Sequence, residues 1–217
     1  MVKFAPPDNS TGSTRWRNLL WCEHIALEVV KQAGITAPTS SCIDVQGWRF
    51  LEVERFDRVG TRGRRGVISL GAIDDEYFGV RDNWTHAAER LVSFRPLSLS
   101  QEDARRIRFL DVFGQLIGNS DRHFGNLSFF VDGNRLRLAP VYDMLPMILA
   151  PTSAGLVERR FLPAPPSSHN LDVWPDAAAK AQIYYKQVIE NLTLSASIRA
   201  SLRSNLETPT AMSERIR

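Results

Sequence analysis

The chain has 217 residues, 43% of them apolar and 24% charged, which is enough for a buried core and too balanced for a disordered tail; the length holds one domain, or a small lobe and a larger one. The net charge of +3 is scattered except for Arg62, Arg64 and Arg65 in a Gly-flanked stretch that reads as a solvated loop, so composition argues against direct nucleic-acid binding. Cys22 and Cys42 have neither CxxC spacing nor a third partner and read as buried thiols of a reducing compartment; without a membrane-length apolar run or a signal-like leader, the chain reads as cytoplasmic with no membrane partner.

Met1-Val2-Lys3-Phe4 reads as the end of a strand, and Pro6 to Gly12 as a loop. Trp16, Leu19, Leu20, Ile25, Ala26, Val29 and Val30 recur at helical spacing, which predicts an amphipathic helix from Trp16 to Ala33, stopped by Gly34. Ser41–Val45 and Trp48–Phe56 flank a Gln46-Gly47 turn and predict an antiparallel hairpin running out at Glu54-Arg55-Phe56-Asp57-Arg58. Gly60–Gly66 reads as a loop and Val67–Ile73 as a short extended piece. Thr85–Phe94 predicts a short helix, and Ser100 with Glu102 and Asp103 caps a stronger one that runs to Ile117 and stops at Gly118. Leu127–Val131 and Leu136–Leu138 form a second hairpin around Asp132-Gly133-Asn134. A Pro-rich irregular stretch follows to Trp174, then helices over Pro175–Glu190 and Leu194–Leu206, with a frayed end.

The chemistry gathers in Asn119-Ser120-Asp121-Arg122-His123-Phe124-Gly125-Asn126 and, past the second hairpin, Tyr142-Asp143. Two carboxylates and an amide on loops suit magnesium, a hard ion that prefers oxygen. One histidine and no cysteine is too few for zinc there. A lone Asp-x-x-x-x-Asn is more readily a turn whose side chains bond neighbouring N–H groups. The downstream Asp, with a Lys in a strand and an acid in the next helix, gives the order in which protein kinases set a base, two magnesium ligands and a phosphate-holding Lys–Glu pair. Lys3 alone would be a solvated edge residue and Glu23 a surface acid. His24, His86 and His169 have no partners at ligand spacing in the sequence.

Val2-Lys3-Phe4, Val53-Glu54-Arg55-Phe56-Asp57-Arg58, Gly118 to Asn126, and Leu138-Ala139-Pro140-Val141-Tyr142-Asp143-Met144-Leu145-Pro146 resemble, in this order, the C-terminal kinase part of the HipA family, serine/threonine kinases of bacterial toxin–antitoxin systems, and within it the YjjJ-type branch. The resemblance implies an α+β, protein-kinase-like fold, with a partial N-terminal β lobe over 1–58 and a mainly helical C-terminal lobe over 59–217. It implies ATP and Mg²⁺ as cofactors and phosphoryl transfer to a protein Ser or Thr, with aminoacyl-tRNA synthetases as targets in some members.

Residue by residue, the resemblance makes Asp121 the catalytic base and Lys3, with Glu23 as its partner, the contact to the nucleotide phosphates. Glu54, Arg55 and Phe56 become the adenine hinge. His123, Phe124, Gly125, Asn126 and Tyr142 would line the nucleotide site, and Asn126 and Asp143 would hold the metal. Family members carry a Gly-rich phosphate loop upstream of the Lys strand, whereas this sequence opens on Met1-Val2-Lys3. That departure leads to the expectation of either a truncated kinase or one half of a split kinase completed by a separate N-terminal polypeptide; the resemblance itself implies an antitoxin as an alternative partner. The competing readings are a catalytically inactive remnant serving as a binding module, and a metal-dependent nuclease built on Asp121, His123 and Asp143.

Overall fold

The computed structural model describes every residue except Asn9, Ala154, Glu158 and Arg217, and every side chain up to residue 212 but those three within it. Strand β1 (Val2–Ala5), helix α1 (Thr11–Gln32), β2 (Ser40–Val45) and β3 (Trp48–Val53) open the chain, and the strands form an antiparallel sheet of order β1-β3-β2. The β2–β3 turn has positive φ at both Gln46 and Gly47, the left-handed pair that fits a tight hairpin to the twist of its strands. Lys3 lies opposite Leu51, so the central strand fixes its place along β1.

Helix α1 begins five residues before the predicted Trp16 because Ser10 caps it, its Oγ accepting a hydrogen bond from Ser13 N at 3.1 Å. The helix serves two cores. Leu20 joins Ala5, Leu51 and Val53 beneath the sheet, while Leu19, Cys22, Ala26, Val29 and Val30 enter the main core. Cys22 is buried but Cys42 is only half-buried, correcting the reading of two buried thiols; burial pushes both thiols up to about 12.

Beyond β3, which ends at Val53 rather than at Phe56, β4 (Arg58–Val59) and β5 (Gly63–Arg64) pair as a small ribbon where a loop was expected. Arg65 is not simply solvated, since its guanidinium sits 3.5 Å from the centre of the Phe130 ring. The expected extended piece after Val67 is strand only at β6 (Ile68–Ser69) and then becomes helix α2 (Leu70–Tyr77). Ser69 caps that helix through Ala72 N, and burial of Leu70 and Ile73 overrides the β-branched, Gly-interrupted look of the sequence.

Helix α3 (Trp84–Ser93), β7 (Ser98–Leu99) and α4 (Gln101–Leu116) follow, then a 3-10 turn (Phe124–Asn126), β8 (Ser128–Asp132) and β9 (Arg135–Leu138). The second sheet has the order β6-β8-β9-β7, with β7 parallel to β9. Ser100 caps α4 at Asp103 N, and the Asp103 carboxylate in turn accepts from Leu138 N at 3.2 Å, tying the helix start to β9. After a 3-10 turn at Met147–Leu149, α5 (Trp174–Glu190) and α6 (Ala196–Ile216) pack against each other. Helix α6 continues through the end that was expected to fray, as Leu206 and Met212 keep contact with the core.

Trp84, Phe113, Trp174, Tyr184 and Tyr185 are fully buried where α3, α4 and α5 meet, each such side chain contributing roughly 1.5–3 kcal/mol by leaving water. Tyr185 also donates to Leu116 C=O at 2.9 Å, satisfying a carbonyl at the end of α4. Gly118, just beyond, has φ +81, and a Cβ there would meet Ile148 Cγ2 at 2.8 Å. Gly118→Ala should therefore lower stability by about 1–3 kcal/mol, read as an earlier midpoint in urea; an unshifted midpoint would show that the turn yields freely.

Candidate active site

The end of α4 delivers the chain into the loop from Asn119 to Leu127, and the loop is fixed by its own polar groups. Buried Asn119 accepts from Asp121 N at 3.0 Å, and the Asn126 amide Nδ2 donates to Asp121 C=O at 2.9 Å. The Asp121 backbone is thus held on both sides. With Nδ2 committed in this way, Asn126 Oδ1 remains as an oxygen acceptor of the kind a hard metal takes. His123 Nδ1 accepts from Gly125 N at 3.0 Å, which makes this side chain a cap of the 3-10 turn. Phe124 is buried beneath it.

Three residues far apart in sequence then meet. Lys3 Nζ, brought in by β1, lies 2.8 Å from both carboxylate oxygens of Glu23 on α1, and it also pairs with Asp143 Oδ1. Glu23 is almost wholly buried, at 1% exposure, so its charge needs the ammonium. Burial works against the charged Lys3, but Glu23 and Asp143 outweigh it and leave its pKa above the usual lysine value. Burial likewise pushes Glu23 upward, with Lys3 holding it back.

Asp143 has φ +60, a left-handed conformation uncommon outside glycine. The Lys3 ion pair and an Asn119 Nδ2 hydrogen bond to Asp143 C=O at 3.4 Å hold it there. Its neighbour Tyr142 donates to Gly125 C=O at 2.7 Å and accepts from Ser128 Oγ at 2.7 Å, joining the post-hairpin segment to the loop. The Phe56 ring lies 5.9 Å from that of Tyr142 and 6.0 Å from that of Phe130. Glu54, Arg55 and Phe56 line a cleft of about 270 Å³ with Val53, Val67, Ser128 and Tyr142, among others. The Arg55 guanidinium makes a two-pronged pair with Asp57 at 2.7 and 2.5 Å.

Sequence reasoning passed over the supports of the loop. Asp111, buried in α4, accepts from Thr85 N and Oγ1 at 3.2 and 2.8 Å and from Arg122 Nε at 3.0 Å, and Arg122 also donates to Asn119 C=O. Trp84 Nε1 donates to His123 C=O at 3.3 Å. The available signal was an acid set among Leu110, Val112 and Phe113 on a buried helix face. His86 and His169, without partners in the sequence, also come together in space, with ring centres 4.7 Å apart.

The family model of the HipA-like C-terminal domain matches residues 1–200. The chain belongs to this family. It is 34% identical over 204 residues to Toxin YjjJ of Escherichia coli K12, covering 92% of this chain and 45% of that protein. It is 28% identical over 165 residues to the Putative kinase Y4mE of Sinorhizobium fredii, covering 68% of this chain and 37% of that one. The chain therefore spans less than half the length of these curated relatives.

Among solved structures, HipA of Shewanella oneidensis MR-1, determined with HipB and operator DNA, superposes with a TM-score of 0.64 at 18% identity, covering 99% of this chain and 57% of that one. The Helicobacter pylori proinflammatory kinase CtkA superposes with a TM-score of 0.62 at 16% identity, covering 100% of this chain and 86% of that one. The fold is thus α+β and kinase-like, and the family is one of HipA-like toxins and kinases. No helix among the described residues is long and apolar enough to cross a membrane.

Proposed function

We propose that this chain is the catalytic part of a HipA-family serine/threonine protein kinase that transfers the γ-phosphoryl group of ATP to a protein hydroxyl in the cytoplasm. The observation that carries the reading is Lys3 Nζ at 2.8 Å from both oxygens of buried Glu23 while it also pairs with Asp143. A nuclease could also use a lysine among carboxylates, but it would leave the cleft lined by Glu54, Arg55 and Phe56 without a role, whereas a kinase uses such a cleft for adenine. In this reading residues 1–58 form the small lobe and 59–217 the large one, with adenine seated against Glu54, Arg55 and Phe56.

Asp121 takes the proton of the acceptor hydroxyl, its backbone fixed by Asn119 and Asn126. Lys3 places positive charge at the phosphates, and Glu23 keeps the ammonium in position. Asn126 Oδ1 and the Asp143 carboxylate offer the oxygen set for magnesium, which when bound offsets the charge on the transferring phosphoryl oxygens. The Shewanella relative is solved with HipB, and an antitoxin-type protein is the partner we infer by likeness. An aminoacyl-tRNA synthetase is the substrate class suggested by the family resemblance.

Transfer of label from γ-labelled ATP to protein serine or threonine tests the reading. Because phosphoryl transfer leaves bond-making to a loose transition state, removing the base with Asp121→Asn should slow transfer by about 100-fold, the low end for general bases. Equal labelling by the variant would remove Asp121 from the catalytic role. Magnesium-dependent cleavage of nucleic acid without ATP would favour the nuclease instead.

A further inference from the structure

Away from the candidate active site, His86 and Glu89 sit three residues apart on α3 and therefore share one face of the helix. His169 approaches them from the turn that precedes α5. One donor atom from each of the three lies within 4.8 Å of the other two. The His169 Nδ1 is 3.0 Å from Glu89 Oε2, and the two imidazole rings meet edge to face.

The His169 turn is anchored independently of that contact. Arg108 Nη1 donates to His169 C=O at 2.9 Å, and the same guanidinium pairs with Asp172 at 2.6 and 3.0 Å. Asn170 Oδ1 accepts from Ser167 N at 2.8 Å, closing the turn. The third donor is thus held in place by the backbone. An ordinary His–Glu ion pair needs one imidazole; here His169 makes the contact to Glu89, and His86 of the same helix brings a second imidazole donor within 4.8 Å.

We propose that His86, Glu89 and His169 form a binding site for a borderline divalent cation of the zinc class. Two imidazoles and a carboxylate suit zinc, whereas magnesium prefers an all-oxygen set. Bonds of 2.0–2.1 Å in a tetrahedron require donor separations of about 3.3 Å, within reach of small side-chain rotations. The fourth position is left to water. His86 Nδ1 faces Asn83 Nδ2 at 3.3 Å and, farther off at 3.7 Å, the Asp82 carboxylate that Arg90 holds. A cation here would tie the His169 turn to α3, whose Trp84 and Thr85 contact His123 and Asp111 of the loop and its support.

Calorimetric titration with zinc chloride, in the presence of excess magnesium, tests the site on the full chain. The expected result is one zinc per chain, with His86→Ala and His169→Ala each weakening it by about 100-fold while the metal-free melting temperature stays in place. Cobalt in place of zinc should give an intense tetrahedral visible band that both variants lose. Zinc binding in the variants equal to the wild type would overturn the proposal by placing the ion elsewhere. So would wild-type binding no tighter than about 1 mM, some 4 kcal/mol.

Discussion

Asp143→Ala is expected to weaken binding of ATP with magnesium by on the order of 1,000-fold, about 4 kcal/mol, in calorimetry on otherwise identical samples. The size follows from what the carboxylate does on our reading. It is the charged member of the proposed metal-holding pair, Asn126 being a neutral amide, and it balances Lys3 together with Glu23. Without it the remaining donors bind a hard cation weakly. Because Asp143 has φ +60, alanine adds backbone strain to the loss of charge. Asp143→Asn separates the two, since asparagine tolerates that conformation and differs mainly in charge. Unchanged affinity in Asp143→Asn would take this residue out of the metal site. No binding by the folded wild type would withdraw the nucleotide reading for this chain on its own.

Asp111→Ala should cost about 3 kcal/mol of folding stability and lower the melting temperature by roughly 6–12 °C. Its carboxylate is the junction of three segments, accepting from Thr85 at the start of α3 and from Arg122 in the loop while it stands on α4. Truncation leaves the Thr85 N–H and hydroxyl without their acceptor in a buried setting, and the Arg122 guanidinium without its carboxylate. Arg122 is partly exposed and keeps Asn119 C=O, which holds the figure at the low end for a broken buried pair. The loop should also loosen, because Asn119 is a direct support of Asp121. A melting temperature within 2 °C of the wild type would mean that water replaces the carboxylate and that the junction is not structural.

The elements legible in the sequence were those whose signal is local. Ser100 with its first-turn acids marked α4, Gln46-Gly47 marked a tight hairpin, and Asp132-Gly133-Asn134 marked the turn between β8 and β9, since caps and left-handed turns depend on a few adjacent residues. Helix α2 was not legible, because Gly71 and the β-branched Val67 and Ile68 speak against a helix that burial of Leu70 and Ile73 enforces. The motif residues could be named in order, and the order alone pointed to the kinase-like family. What only the tertiary structure decided is which charges meet. Lys3 reaches Glu23 and Asp143 across 20 and 140 residues, Asp111 joins α3 to the loop, and His86 finds His169. Such pairings are set by the packing of α3 and α5 on α4 and of α1 on α5 and the first sheet, which no spacing along the chain encodes.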